Sequence, residues 1–327
     1  MTQIENEPEE KAVKGKGTGL PLASVALVFA VLLVFSQLFY VSFSIKPRLV
    51  LVNSDSGIKL ARNPELLEIE AKAIEANLDG LVLPAQGASI PVRWGDMGKR
   101  LVEEGVIDKE KFYSLYEQRG GLSEYEKELL ENGGNGEILV NSENSNTILN
   151  LLWAFGLANK NIILEEGPMV DKKYGGDAGK YASTGGWSLA NGSVMDHYSA
   201  HELAILTEAQ QELVERVTKG IYRPCCGNST HFPDCNHGMA MLGLMELMAS
   251  QGATEQEMYD AALAINSFWF PETYLTIGKY FARRGVSWED IEAKEVLGSA
   301  YSSAQGYAQI AKEVEPVQGG GGGSCGV

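Results

Sequence analysis

Basic side chains are the minority in this 327-residue chain: 27 lysines and arginines stand against 43 aspartates and glutamates, a formal charge of -16. That balance excludes nucleic acid as a partner, because phosphate backbones are recognised by a basic footprint. Cysteine is scarce as well. Four in a chain of this length cannot build a disulfide framework, which leaves them for local chemistry. Cys-x-x-Cys and Cys-x-x-Cys-His are both absent, so a thioredoxin-type centre and a c-type haem attachment lack their motifs. The glycine pairs have neither the spacing nor the strand-to-helix setting of a nucleotide loop. No nucleophile elbow between a strand and a helix points to a hydrolase, and no catalytic set is assigned.

Charge is missing altogether from one long run. Residues 19–45, GLPLASVALVFAVLLVFSQLFYVSFSI, contain no Asp, Glu, Lys, Arg or His. A bilayer core of ~30 Å is crossed by about 20 apolar residues in a helix, so this run is long enough. A signal peptide has a shorter apolar region and small residues at its cleavage site, where this chain has Phe39, Tyr40, Phe43 and Ile45. The run reads as an uncleaved, single-pass anchor, with a cleaved signal as the alternative. Lysines 11, 14 and 16 precede it and Lys46 and Arg48 follow, so the charge bias across it is weak. The short charged tail, 1–18, is expected to be disordered and cytoplasmic, with the bulk of the chain extracytoplasmic, where disulfides are permitted.

Beyond the anchor the periodicity is that of helices, and the expected fold is mainly α: an irregular multi-helix extracytoplasmic domain. It divides into subdomains 46–190 and 191–314, followed by a flexible Gly-rich tail, 315–327, that carries Cys325. Helix starts are marked by Asn63-Pro64, by Asp108, by Ser123 and by a capping box of Thr254 with Glu257. One helix is expected across MDHYSAHELAILTEAQQELVERVTKGI, one from Ser287, and a last one through GSAYSSAQGYAQIAKEV. PRLVLVN reads as extended and EILVN as one short strand. The Gly-rich passage YGGDAGKYASTGGWSLANGS reads as an ordered loop covering the site.

The rare residues are gathered in one place. Between Cys225 and His237 lie three of the four cysteines and two of the four histidines, in YRPCCGNSTHFPDCNHGMAMLGLMELM. Cys225, Cys226, His231, Cys235 and His237 are five candidate ligands for a thiophilic ion such as copper or zinc, since thiolate and imidazole suit these metals. The spacing is not that of a standard zinc finger. His197 and His201 stand four apart, which on a helix puts both rings on one face and adds two candidate ligands; an ordinary solvated face fits the same spacing. Met239 is the candidate thioether ligand, and its sulphur would favour Cu⁺. Met241, Met245 and Met248 recur at helical spacing and suit a core stripe. With Asp234 or Asn236 capping the helix that follows, Cys235 falls at its positive end, which favours thiolate.

The pattern Pro224-Cys225, a second cysteine, Gly227, His231, Asp234-Cys235 and His237, followed by a Gly-led helix, resembles the PCYCGC-motif proteins, which are membrane-anchored bacterial proteins. The likeness covers residues 222–266. It departs from the family in the adjacency of Cys225 and Cys226, and in having Met239 and Met241 where further cysteines are usual. The resemblance implies an extracytoplasmic Cys/His site.

Three functions are compatible with these residues. The first is metal binding or handling at the outer membrane face, with copper or zinc as the ion and Cys325 as a mobile extra ligand or an uninvolved tail. The second is thiol–disulfide exchange by Cys235 with Cys225 or Cys226. The third is a staple, metal or disulfide, that only holds the loop in a scaffold. The partners expected are the membrane and the metal ion.

Overall fold

A computed structural model describes residues 49–54, 57–62 and 64–317. The expected anchor at 19–45, the tail before it and Cys325 lie outside the described residues. Among the described residues no helix is long and apolar enough to cross a membrane. The chain divides into two compact units at Asn63/Pro64. In the first, β1 (Leu49–Ser54) pairs antiparallel with β2 (Gly57–Arg62), with Leu51 opposite Leu60. The expected extended segment is thus one arm of a hairpin.

The second unit is mainly helical. Its first half contains α1 (Pro64–Glu75), α2 (Leu78–Val82), β3 (Ala88–Gly95), α3 (Met97–Glu103), α4 (Lys109–Glu117), α5 (Glu124–Glu131), β4 (Asn135–Val140), α6 (Ser145–Ala158) and α7 (Ile162–Glu166). After the short α8 (Ala182–Gly185) come α9 (Glu208–Gly220), α10 (Asn236–Ser250), α11 (Glu255–Trp269), α12 (Pro271–Ala282), α13 (Ala293–Val296), α14 (Ser299–Ser302) and α15 (Ala304–Glu313). The helix starts read from sequence are present where a side chain caps them. Asp108 accepts from the Lys111 amide, and Ser123 with Glu126 and Thr254 with Glu257 close capping boxes.

Two helices form the centre. Every residue of α10 from Asn236 to Ala249 is buried, and so is almost all of α6, as expected of helices apolar on all faces. They cross at Gly156 and Gly243. A Cβ on Gly156 would lie 2.2 Å from the Met239 carbonyl oxygen, and one on Gly243 would lie 2.6 Å from that of Leu152. Only glycine admits backbones this close. The crossing joins α6 and α10 from opposite sides of the boundary expected near Gly192. Residues from Pro64 onward form one compact unit.

Local geometry explains the other departures. The strand β3 is absent from the sequence reading because Pro91 interrupts its pattern. It pairs with β4 through a register shift between Ile90 and Arg93, the kind of irregularity that accommodates proline. The side chain of Gln251 then satisfies the backbone of Arg93 at both N and O. The helix expected from Met195 begins only at Glu208, where Thr207 and Gln210 form a capping box; Ser199 upstream has a positive φ of 52°. Ser287 opens only a short 3-10 turn, Trp288–Asp290. The last expected helix is split at Ser303, whose hydroxyl accepts from the Gly306 amide and starts α15 afresh.

Candidate metal centre

The loop between α9 and α10 is held at both ends by backbone. Tyr222 donates to the Leu297 carbonyl, Thr230 to that of Ile221, and the Cys226 carbonyl accepts from Ala304. These bonds fold residues 222–235 back over the N-terminus of α10, where Cys235 itself occupies the cap position. The cap was expected at Asp234 or Asn236; the shift puts Cys235 itself at the positive end of the helix dipole, which favours its thiolate.

Three cysteines and one histidine converge there. The sulphurs of Cys225 and Cys235 are 3.6 Å apart. A ligand atom of Cys226 and one of His237 also lie within 4.8 Å of the Cys235 sulphur. Cys225 is exposed as a residue, but its sulphur turns inward; Cys235 and His237 are buried. Ligand atoms of Cys225, Cys235 and His237 lie within 4.8 Å of one another, and so do those of Cys226, Asp234 and Cys235. Two donor sets therefore share Cys235. The His237 ring packs against Phe270, with centroids 4.4 Å apart, and Trp269 stands edge-on to it. Its Nδ1 is buried with no hydrogen-bond partner. A buried polar atom without a partner costs free energy, and a cation beside it removes that cost.

A residue absent from the sequence reading organises the cluster. Arg223 is 1% exposed. Its Nε donates to the Cys235 sulphur at 3.1 Å, Nη1 to the Asn228 carbonyl, and Nη2 to the Phe232 carbonyl and Asp234. Asn228 in turn donates to the other carboxylate oxygen of Asp234. Gly238 makes room for this: a Cβ there would lie 2.6 Å from the guanidinium carbon. Burial works against the charge of Arg223, but Cys235, Cys226 and Asp234 outweigh it and the guanidinium stays charged. Hydrogen bonds from Cys225 and Cys226, with the charge of Arg223, hold the Cys235 thiol well below its ordinary range. Cys225 is pushed the other way, by its bonds to Cys226 and Cys235 and by burial. Burial raises the Asp234 carboxyl, with Arg223 opposing. The result is one thiolate poised at Cys235, with Cys225 as its proton-bearing neighbour.

The remaining sequence candidates lie elsewhere. His231 faces α9: its amide donates to the Thr218 carbonyl, and burial together with Lys219 lowers its affinity for a proton. It joins neither donor set. Met239 is fully buried in the apolar core, as are Met241, Met245 and Met248. His197 and His201 do meet, but not on a helix: His197 ends a 3-10 turn, Val194–Asp196, and His201 bridges to Asn159 in extended backbone. Neither belongs to a cluster of three or more potential ligands among the described residues. The Gly-rich passage does lie on the loop. Tyr174 and Tyr181 pack against Phe232, and the Ser183 amide donates to the Asp234 carbonyl.

The cluster can hold a metal ion. With Zn–S bonds of about 2.3 Å, sulphurs 3.6 Å apart subtend about 100° at the metal, close to tetrahedral. No family model matches the chain, and neither curated proteins nor solved structures give a match.

Proposed function

We propose that this chain is a membrane-anchored, extracytoplasmic metal-binding protein that holds zinc through Cys225, Cys235 and His237, with Cys226 or Asp234 closing the fourth position. The observation that carries this reading is the buried His237, whose Nδ1 has no hydrogen-bond partner and which places a ring nitrogen within 4.8 Å of the Cys225 and Cys235 sulphurs. Zinc ranks above copper on two grounds. Cysteine sulphur together with the His237 imidazole suits Zn²⁺, and the thioether that would favour Cu⁺ belongs to the core. The exposed position of Cys225 gives an incoming thiol a route to the ion, which suits handling more than permanent storage. Membrane attachment rests on the uncharged run 19–45.

Anaerobic titration of the reduced full chain with Zn²⁺, and with Co²⁺ as a coloured substitute, tests the reading. One ion per chain is expected, with sulphur-to-cobalt charge-transfer bands. Cys235→Ser should abolish binding and His237→Gln should weaken it, while Cys325→Ser changes neither. Unaltered binding in Cys235→Ser would overturn the assignment.

The 3.6 Å sulphur contact supports a second reading, a reversible Cys225–Cys235 disulfide. Equilibration in thiol–disulfide buffers without metal separates the two: a loop that stays reduced throughout removes this second reading.

A further inference from the structure

A cleft of about 350 Å³ opens between α2, the start of β3, α11 and the 3-10 turn at Trp288–Asp290. No residue of the cysteine loop lines it. Its lining is apolar, from Leu81, Val82, Leu263, Phe268 and Ile291, with carboxylates at Asp260 and Glu289. Val82, Leu263 and Phe268 are buried while Asp260 and Glu289 are exposed, so the apolar groups lie at depth and the acids at the mouth. The Ser267 hydroxyl, also in the lining, turns back to donate to the Leu263 carbonyl. Sites for small organic molecules span about 300 to 1,000 Å³, so this cleft suits one compact apolar body.

The mouth is negative and its own chain leaves it so. Lys294 and Arg216, the cations nearest in the fold, both pair with Glu255. Among the described residues neither Asp260 nor Glu289 has a cationic partner, and Asp260 accepts from Gln256 instead. Asp290 and Glu292 flank the same turn and deepen the field. Trp288 completes the site. It is half-buried and packs against the fully buried Tyr274, with ring centroids 6.4 Å apart, so the indole is fixed in place. Indole is the side-chain ring that attracts a cation most strongly. Lys109, Arg119, Lys173, Arg284 and Lys294 each lie over a tyrosine, but among the described residues none lies over Trp288.

We propose that this cleft binds a small organic cation, with its ammonium group at the Asp260 and Glu289 carboxylates and the Trp288 ring and its aliphatic or aromatic body in the apolar depth. Each part of the lining selects one property of the ligand. The depth accepts a body that water rejects, and the indole and the two carboxylates demand a positive charge beside it. A carboxylate of the same size meets repulsion at the mouth, and a bare metal ion leaves the apolar depth unfilled. Exposed charge pairs are weak, so the two acids together should favour an ammonium over the matching alcohol by roughly 5-fold. The proposal stands independently of the metal reading.

Tryptophan fluorescence reads the site. Of the five tryptophans, Trp94, Trp153, Trp187 and Trp269 are at most 6% exposed, so Trp288 is the one that a dissolved quencher reaches. Acrylamide quenching of the full chain is measured at low salt during titration with hexylammonium, hexanol and hexanoate, which share a body and differ in charge. The Trp288→Phe chain supplies the baseline to subtract. Hexylammonium should shield Trp288 at roughly 5-fold lower concentration than hexanol, and hexanoate should not shield it. Asp260→Asn combined with Glu289→Gln changes two exposed side chains and should bring the ammonium and the alcohol to the same concentration. Equal shielding by all three compounds, no shielding by hexylammonium, or a preference for it that survives in the double variant would overturn the proposal. So would a Trp288 already closed to acrylamide before any compound is added, since another part of the chain would then occupy the cleft.

Discussion

The Nε of Arg223 donates to the sulphur of Cys235 at 3.1 Å, in a setting where the arginine is all but fully buried. A guanidinium removed from water is tolerated only where anions and acceptors meet it, and here Asp234, the Phe232 and Asn228 carbonyls and the thiolate do so. Arg223→Met leaves a carboxylate and a thiolate without their cation. A loss of about 3–5 kcal/mol is expected in urea unfolding. Thiolate absorbance should show Cys235 titrating at higher pH than in the parent chain. The sign follows from the lowered native value: the Cys235 contribution is complete above the unfolded thiol value of ~8.5 and fades as pH falls through the native one. Cys235→Ser should remove that pH dependence.

Gly243→Ala tests the crossing of the two central helices. The added methyl would meet the Leu152 carbonyl and the Gly156 amide, and backbone cannot turn aside as a side chain can. A destabilisation of about 1–3 kcal/mol is expected. Gly136→Ala in β4, where a Cβ meets nothing within 4 Å, serves as the control and should stay within about 0.5 kcal/mol of the parent.

Glu246 gives a pH prediction. It is fully buried on α10, accepts one bond from Asn159 and has an unpartnered Oε1; burial holds its carboxyl well above the usual range. A raised native value means that the folded chain keeps a proton the unfolded chain releases. Stability from this site is therefore complete below the unfolded carboxyl value of ~4.3 and declines as pH rises towards the native one. Glu246→Gln keeps the shape and removes the ionisation. It should raise stability at neutral pH and flatten the slope of unfolding free energy against pH between acid and neutral. An unchanged slope would count against a neutral, buried carboxyl.

What the sequence disclosed was mostly local. Asp108, Ser123 and the Thr254–Glu257 pair are legible because a cap involves residues three or four apart. Cys225, Cys226, Cys235 and His237 stood out as scarce residue types gathered within thirteen positions, and their ligand atoms do fall into two overlapping clusters. His231 was read into the same site on spacing alone. Its actual neighbour, Thr218, is fixed by how the loop lies against α9, and spacing does not encode that. The interval between His197 and His201 matched a helix, yet the Ser199 amide bonds the Leu157 carbonyl at the end of α6, a long-range contact that overrides the local pattern. Arg223 left one signal that went unread. It precedes Cys225 by two positions while Asp234 adjoins Cys235, so opposite charges flank the two cysteines that meet. Pro91 concealed β3 because the register shift that accommodates it depends on β4, more than forty residues away.

In the proposed centre, sulphur and imidazole act together on one ion. X-ray absorption at the zinc edge of the reduced, zinc-loaded full chain measures this directly, since it counts the nearest atoms by element and distance. Two or three sulphurs at about 2.3 Å and one nitrogen at about 2.0 Å are expected, with that nitrogen lost in His237→Gln. A shell of oxygen and nitrogen alone, or a sulphur shell unchanged in Cys235→Ser, would contradict it.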